Sequence, residues 1–183
     1  MPDRPALVRR SATRTHEMIV AALTTLIGER RYDMIRVADI TRYAGIGKST
    51  FYDHFDSKDE VLLDAMQPIL LALATAASGR AARGYVLGMV QHLWDRRAIG
   101  RPLMASSIAP RVQRDLAEAI RPHVERSGCP AGASIITATG IAAAQLAMLR
   151  SWLSGEAAAT AGQMTDRLID CSRLTSPGIV DRG

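Results

Sequence analysis

Residues 34–60, Met-Ile-Arg-Val-Ala-Asp-Ile-Thr-Arg-Tyr-Ala-Gly-Ile-Gly-Lys-Ser-Thr-Phe-Tyr-Asp-His-Phe-Asp-Ser-Lys-Asp-Glu, decide the fold. Val37, Ile40 and Ala44 recur at helical spacing, so Arg36 to Ala44 predicts a short helix with one apolar face. Gly45 follows it where a helix end calls for positive φ, and Ile46 fills the corner. Gly47 serves as the N-cap of a second helix of about seven residues, with Phe51 and Phe55 at i and i+4 on its inner side. Lys48, Ser49, Thr50, Tyr52 and His54 are left outside. These are short, polar, hydrogen-bonding side chains of the kind that base edges and phosphates require of a helix lying in the major groove. Ser57 then reads as the N-cap of a third helix, with Glu60 completing a capping box and Lys58 placed to reach a phosphate. The pattern is a helix-turn-helix.

These residues resemble the N-terminal DNA-binding domain of the TetR family of transcriptional regulators. The resemblance runs from about Thr13 to Ala65 and is carried by Ile40, Ala44-Gly45, Lys48, Thr50, Tyr52, His54-Phe55 and Ser57-Lys58. It implies that Lys48, Ser49 and Thr50 approach bases, while Tyr52, His54 and Lys58 hold the phosphate backbone. Two positions depart from the family pattern. Arg36 stands where a capping, phosphate-touching threonine is usual; it can reach phosphate but cannot cap. Gly47 stands where a serine is usual, which removes one hydroxyl contact. Both remain in the expected DNA-binding set.

A competing motif fails on spacing. Gly45-Ile-Gly-Lys-Ser49 looks like the end of a phosphate-cradling loop, but that loop needs glycine where Arg42 stands and must follow a buried strand. The segment before it has helical period instead.

The chain of 183 residues is long enough for a small head and a larger body, and its alanine-rich, aromatic-poor composition favours helices. The formal charge of +5 is compatible with nucleic acid. The surplus is not concentrated in the head, where residues 1–60 hold ten Lys or Arg against nine Asp or Glu. Arg4, Arg9, Arg10 and Arg14 precede the first helix and read either as a mobile basic arm adding salt-dependent affinity or as a solvated tail. Cys129 and Cys171 show no redox or metal spacing, which suits a reduced cytoplasm. Nothing in the N-terminus reads as an export signal. Residues 127–149 run uncharged, yet Pro130, Gly132, Ser134, Thr137, Thr139, Gly140 and Gln145 punctuate them. They read as a buried helix of a soluble protein and not a membrane span.

The first helix is expected from about Thr13 to Arg30, with Ile19, Leu23, Leu26 and Ile27 facing the helix-turn-helix. The helix from Ser57 should kink or end near Gln67, because Pro68 lacks the N–H that would bond Asp64 and clashes with that turn. After a break at Ser78-Gly79, helices are expected at 81–97, 101–109, 111–126, 133–153 and 160–173. The resulting organisation is all-α: a basic arm at 1–12, a three-helix DNA-binding head at 13–60, an effector-binding and dimerisation body at 61–174, and a tail at 175–183.

The helix at 133–153 is apolar on two sides. Ile135, Ala142, Leu146, Leu149 and Leu153, with Ala138 on the same side, form a stripe that Ala161, Met164, Leu168 and Cys171 of the final helix can match. An intersubunit four-helix bundle would bury it. Dimerisation would also let two recognition helices read a palindrome with half-sites about 34 Å apart. The family resemblance implies the same homodimer, and an effector site in the body. Candidate lining residues are Met66, Leu70, Leu73, Met89, Leu93, Trp94, Met104, Ile108, Met148 and Trp152, with Gln91, His92 and Gln145 as polar anchors. Such residues at helical spacing fill cores more often than they meet ligands.

Catalysis finds no support. The histidines are scattered, no pair has metal spacing, and no serine has a neighbouring base in sequence. Neither a cofactor nor a metal is expected. The reading is a homodimeric, ligand-responsive transcriptional regulator, a repressor that a small molecule releases from a palindromic operator. Its rivals are an activator or effector-less regulator, and a helical small-molecule-binding protein that has lost DNA binding.

Overall fold

The computed structural model describes residues 4–78 and 83–171, with side chains from Ala12 onward. Among these residues all regular structure is helical: α1 (Arg4–Glu29), a 3₁₀ turn (Tyr32–Met34), α2 (Val37–Ala44), α3 (Lys48–Tyr52), α4 (Lys58–Ala77), α5 (Arg83–Asp95), α6 (Arg97–Met104), α7 (Ala109–Arg126), α8 (Ala131–Ser154) and α9 (Ala161–Asp170). The chain divides into two compact units, Met1–Met66 and Gln67–Gly183. The expected tail from Thr175 and the last residues of the helix expected to end at Arg173 lie outside the described residues.

In the first unit α1 packs on α2, and α2 on α3. The apolar rows of the sequence become its interior: Ile19, Leu23 and Leu26 from α1, Ile40 and Ala44 from α2, and Phe51 and Phe55 on the inner side of α3 and its exit are all buried, while Ile27 is half-buried. Full burial of a side chain such as Phe51 contributes roughly 1.5–3 kcal/mol. Gly45 closes α2 at φ +67, a left-handed conformation that a side chain would strain, and its N–H bonds back to the carbonyls of Thr41 and Arg42. Gly47 begins α3 in extended geometry without a side-chain cap.

Three local expectations are revised. The first helix starts at Arg4 instead of near Thr13, so Arg9 and Arg10 lie on helical backbone; the Pro-Ala-Leu-Val-Arg-Arg run suits it, with Pro5 in the first turn where its missing N–H is harmless. The capping box at α4 is displaced: the Glu60 N–H donates to Ser57 Oγ at 3.3 Å, but the Glu60 carboxylate accepts from the Asp56 N–H at 2.8 Å. Proline 68 does not end α4, which continues to Ala77.

In the second unit α7 lies along α8, α5 along α9, and α6 and α9 also touch α8. On α7, Val112, Leu116, Ile120 and Val124 recur every four residues and are buried. Pro110 occupies its first turn. On α9, Thr160 caps by accepting from the Gln163 N–H at 3.2 Å, and the Gln163 amide oxygen accepts from the Thr160 N–H at 2.9 Å. The Arg83 guanidinium donates to both carboxylate oxygens of Asp166 at 2.7 and 3.0 Å, which joins α5 to α9. That pairing holds the Asp166 carboxyl below its ordinary range.

Candidate nucleic-acid interface and effector site

The short helix α3 presents two chemically distinct faces. Phe51 is fully buried, whereas Lys48, Ser49 and Tyr52 are exposed and Thr50 is half-buried. The Lys48 ammonium lies 5.8 Å from the centre of the Tyr52 ring, a contact that keeps a positive charge and a hydroxyl-bearing ring on one side of α3. Gly47 and Arg36 are exposed. His54 is half-buried behind α3, its ring 6.5 Å from that of His16. The His16 Nε2 atom is 2.9 Å from Asp64 Oδ2, and its ring packs at 4.8 Å on Phe55.

Arg36 behaves as its chemistry requires. An arginine side chain has donors only and cannot accept from a helix N–H. The carboxylate of Asp39, three residues on, instead accepts from the Arg36 backbone N–H at 2.9 Å, closing half of a capping box. That hydrogen bond holds the Asp39 carboxyl below its usual range against the opposing effect of burial, assisted by Arg30, Arg42 and Arg36. Lys58 has a different environment from the one its sequence suggested. Its ammonium donates to the carbonyl oxygens of Tyr32 and Ile35, each at 2.9 Å, and sits 4.3 Å from the centre of the Tyr32 ring.

The residues expected to line an effector site have unequal surroundings. Met66, in the first unit, is buried. In the second unit Leu70, Leu73, Leu93, Ile108, Gln145 and Trp152 are buried, Met89, Trp94, Met104 and Met148 are half-buried, and Gln91 and His92 are exposed. Trp94 and Trp152 stack with ring centres 4.7 Å apart, and the Trp152 indole N–H donates to the Ala159 carbonyl at 2.8 Å. The Gln145 side-chain amide donates from Nε2 to the Leu73 carbonyl at 3.0 Å and the Leu168 carbonyl at 3.4 Å. Its Oε1 is, among the described residues, the one fully buried side-chain polar atom without a hydrogen-bond partner. Turning the amide over would set that oxygen against two carbonyl oxygens, so the orientation is determined by its neighbours.

The stripe expected to meet a second copy is largely covered by its own chain. Ala142, Leu146, Leu149 and Leu153 of α8, and Met164, Leu168 and Cys171 at α9, are buried within their own chain, and Ala161 is half-buried. Three helices of the same chain surround α8 and use the faces that its sequence left open. Of the expected set only Ile135 is exposed. The outer surface of α8 is carried by Ile135 and Ile136, 60 % and 77 % accessible, with Thr139, Gly140 and Ala147 exposed and Ala143 half-buried. The helix is long and apolar enough by composition to cross a membrane, as is α4. Yet Ser134 and Gln145 are held by hydrogen bonds inside the body.

Residues 19–65 match the family model described as bacterial regulatory proteins, tetR family. The head is therefore TetR-like over this segment, about a quarter of the chain. Two curated relatives share the TetR-like segment, both in Bacillus subtilis (strain 168). The HTH-type transcriptional regulator YwcC is 45% identical over 56 residues, 31% of this chain and 24% of its own length. The HTH-type transcriptional regulator YxbF is 36% identical over 66 residues, 36% of this chain and 17% of its own length. The chain therefore aligns with about a quarter or less of the length of these relatives. Solved structures show the TetR fold across both units. A TetR transcriptional regulator from Streptococcus agalactiae 2603V is similar over 92% of this chain and 99% of its own, with TM-score 0.60 and 18% identity. One from Rhodococcus sp. RHA1 covers 96% and 100%, with TM-score 0.58 and 14% identity.

The TetR head also exposes groups that the sequence pattern did not select. Tyr43, on the outer side of α2, is 53 % accessible, and Met34, before it, 69 %. The one signal for Tyr43 was its position off the Val37-Ile40-Ala44 face. Among the described residues no three of His, Cys, Asp and Glu gather as a metal site. The family that the head matches is described as one of bacterial regulatory proteins.

Proposed function

We propose that this protein is a cytoplasmic, sequence-specific regulator of transcription of the TetR family that binds a palindromic operator in double-stranded DNA as a homodimer and is released by a small molecule. The observation that carries the proposal is the division of α3: Phe51 anchors it in the head while Lys48, Ser49 and Tyr52 remain outside, with Thr50 at the margin. Lys48, Ser49 and Thr50 would meet base edges, with Arg36, Tyr52 and His54 toward phosphate and the Gly47 backbone allowing close approach.

Dimerisation would use the exposed face of α8. Ile136, Thr139, Gly140, Ala143 and Ala147 fall on one helical stripe whose small residues allow close approach of a second copy. In the body, the buried Gln145 Oε1 supports an effector site, since a ligand N–H or O–H would satisfy an acceptor that the protein leaves bare. Leu70, Leu73, Leu93, Trp94 and Trp152 would supply apolar walls. Effector and operator would oppose one another by preferring different dimer geometries; a ligand without such a preference would shift nothing. An activator is the second reading, favoured by likeness to the dihydroxyacetone kinase operon activator DhaS, with TM-score 0.51 and 16% identity over 88% of this chain and 93% of that one.

Selection of genomic fragments by the purified chain, followed by mobility shifts across a salt series, tests the proposal. Enrichment of a palindrome bound by two copies is expected; weak, sequence-independent binding would sink it. On the selected operator, Thr50→Ala should change the preference among base variants by about 1–3 kcal/mol at one position. A uniform loss across variants would remove Thr50 from base readout.

A further inference from the structure

We infer that Lys58 is a positioning residue which sets the entry of α2, and through it the recognition helix, and is not one of the phosphate ligands. The inference rests on the DNA-binding reading above. Lys58 opens α4, but its ammonium points back into the head. Two N–H groups donate to the Tyr32 and Ile35 carbonyls at 2.9 Å, and the charge lies over the Tyr32 ring. Tyr32 is itself buried and its hydroxyl donates to the carboxylate of Asp59, the next residue of α4.

The carbonyl of Ile35 and the N–H of Arg36 belong to one peptide group, immediately before α2. Lys58 holds its oxygen, and the Asp39 carboxylate holds its N–H at 2.9 Å. With both ends of this peptide fixed by charged partners, rotation about the bonds that aim α2 is restrained. α2 leads through Gly45 directly into α3, so a change in its entry angle is carried to Lys48, Ser49 and Thr50. A lysine with two of three protons on backbone carbonyls, and its charge against a ring, is poorly disposed to leave for a phosphate.

The test uses the full chain at a temperature where every variant is folded by circular dichroism. Affinity is measured on the selected operator and on an unrelated duplex, each across a salt series. For Lys58→Met, which keeps the stem and removes the donors, operator affinity should fall about tenfold, with the salt slope unchanged and a smaller loss on unrelated duplex. Loss of a phosphate contact would instead lower both affinities alike and reduce the slope by about 0.9; that result overturns the inference. Tyr32→Phe keeps every formal charge and frees Asp59. It should reproduce the selective loss at smaller size, and an unchanged ratio between operator and unrelated duplex would also overturn it. If Lys58→Met does not fold, Tyr32→Phe decides together with through-hydrogen-bond NMR coupling from Lys58 Nζ to the Tyr32 and Ile35 carbonyls in the unaltered chain. Its presence supports the clamp and its absence removes it. Should the unaltered chain bind no duplex, the DNA-binding reading itself fails, an outcome distinct from a changed slope in the variant.

Discussion

Helices α3 and α8 solve opposite problems. The recognition helix, only five residues long, has one apolar side chain to bury and four polar ones around it, so Phe51 leaves a single orientation open. Helix α8 has 24 residues and is apolar nearly all round. Its buried set, from Ala138 through Ile141, Ala142, Leu146 and Leu149 to Leu153, spreads over two sides, and two isoleucines still remain outside. Where one face is apolar, the pattern selects that face; where most faces are, the neighbours select.

Substitutions can break this contrast. Phe51→Ala should destabilise the head by about 3–5 kcal/mol, as expected for emptying a fully buried aromatic site, read as an early urea transition in circular dichroism. A loss below about 1 kcal/mol would mean that α3 is not held by that anchor. The exposed Ile136→Arg should leave monomer stability within about 0.5 kcal/mol but weaken self-association at least tenfold by sedimentation. Unchanged association would move the proposed interface away from this face of α8.

A smaller effect sharpens the description of the head. The Asp39 carboxyl titrates below its ordinary value when folded, so the unfolded chain binds more protons than the folded one between the two values. Its contribution is present above the unfolded pKa of about 3.9 and is lost as pH falls through the lower folded value. Asp39→Asn keeps a side-chain acceptor but removes this titration. The acid side of its stability curve should therefore be flatter below about pH 4, measured by urea denaturation at successive pH values. An unaltered acid limb would mean that the Arg36 N–H does not depend on the carboxylate.

Much of the head was legible because its signals are local. Gly45 after Ala44, and the four-residue interval from Phe51 to Phe55, state the turn and the inner face without help from distant residues. Lys58 was not legible in the same way. Its acceptors, the carbonyls of Tyr32 and Ile35, are backbone atoms in and just after a 3₁₀ turn more than twenty residues earlier, and side-chain identity says nothing about them. Most helix positions of the body followed from apolar spacing, although the helix expected at 101–109 forms instead at Arg97–Met104, and the direction of each face did not follow. Leu149 and Ile136 have similar hydropathy, and only the arrangement of α6, α7 and α9 around α8 separates them. Pro68 shows a further limit, since the local penalty that predicted a possible helix end did not prevail over the continuation of α4 to Ala77.

The stacked pair of Trp94 and Trp152 gives the molecule a built-in optical reporter. The chain has two tryptophans, both in the second unit, while the aromatic rings of the head are tyrosines, phenylalanines and histidines without an indole. Emission excited at the red edge of the indole band therefore follows the body alone. Comparing it with far-ultraviolet dichroism would separate melting of the two units without a label. A small molecule entering near the pair would report its own arrival through the emission before any DNA is added.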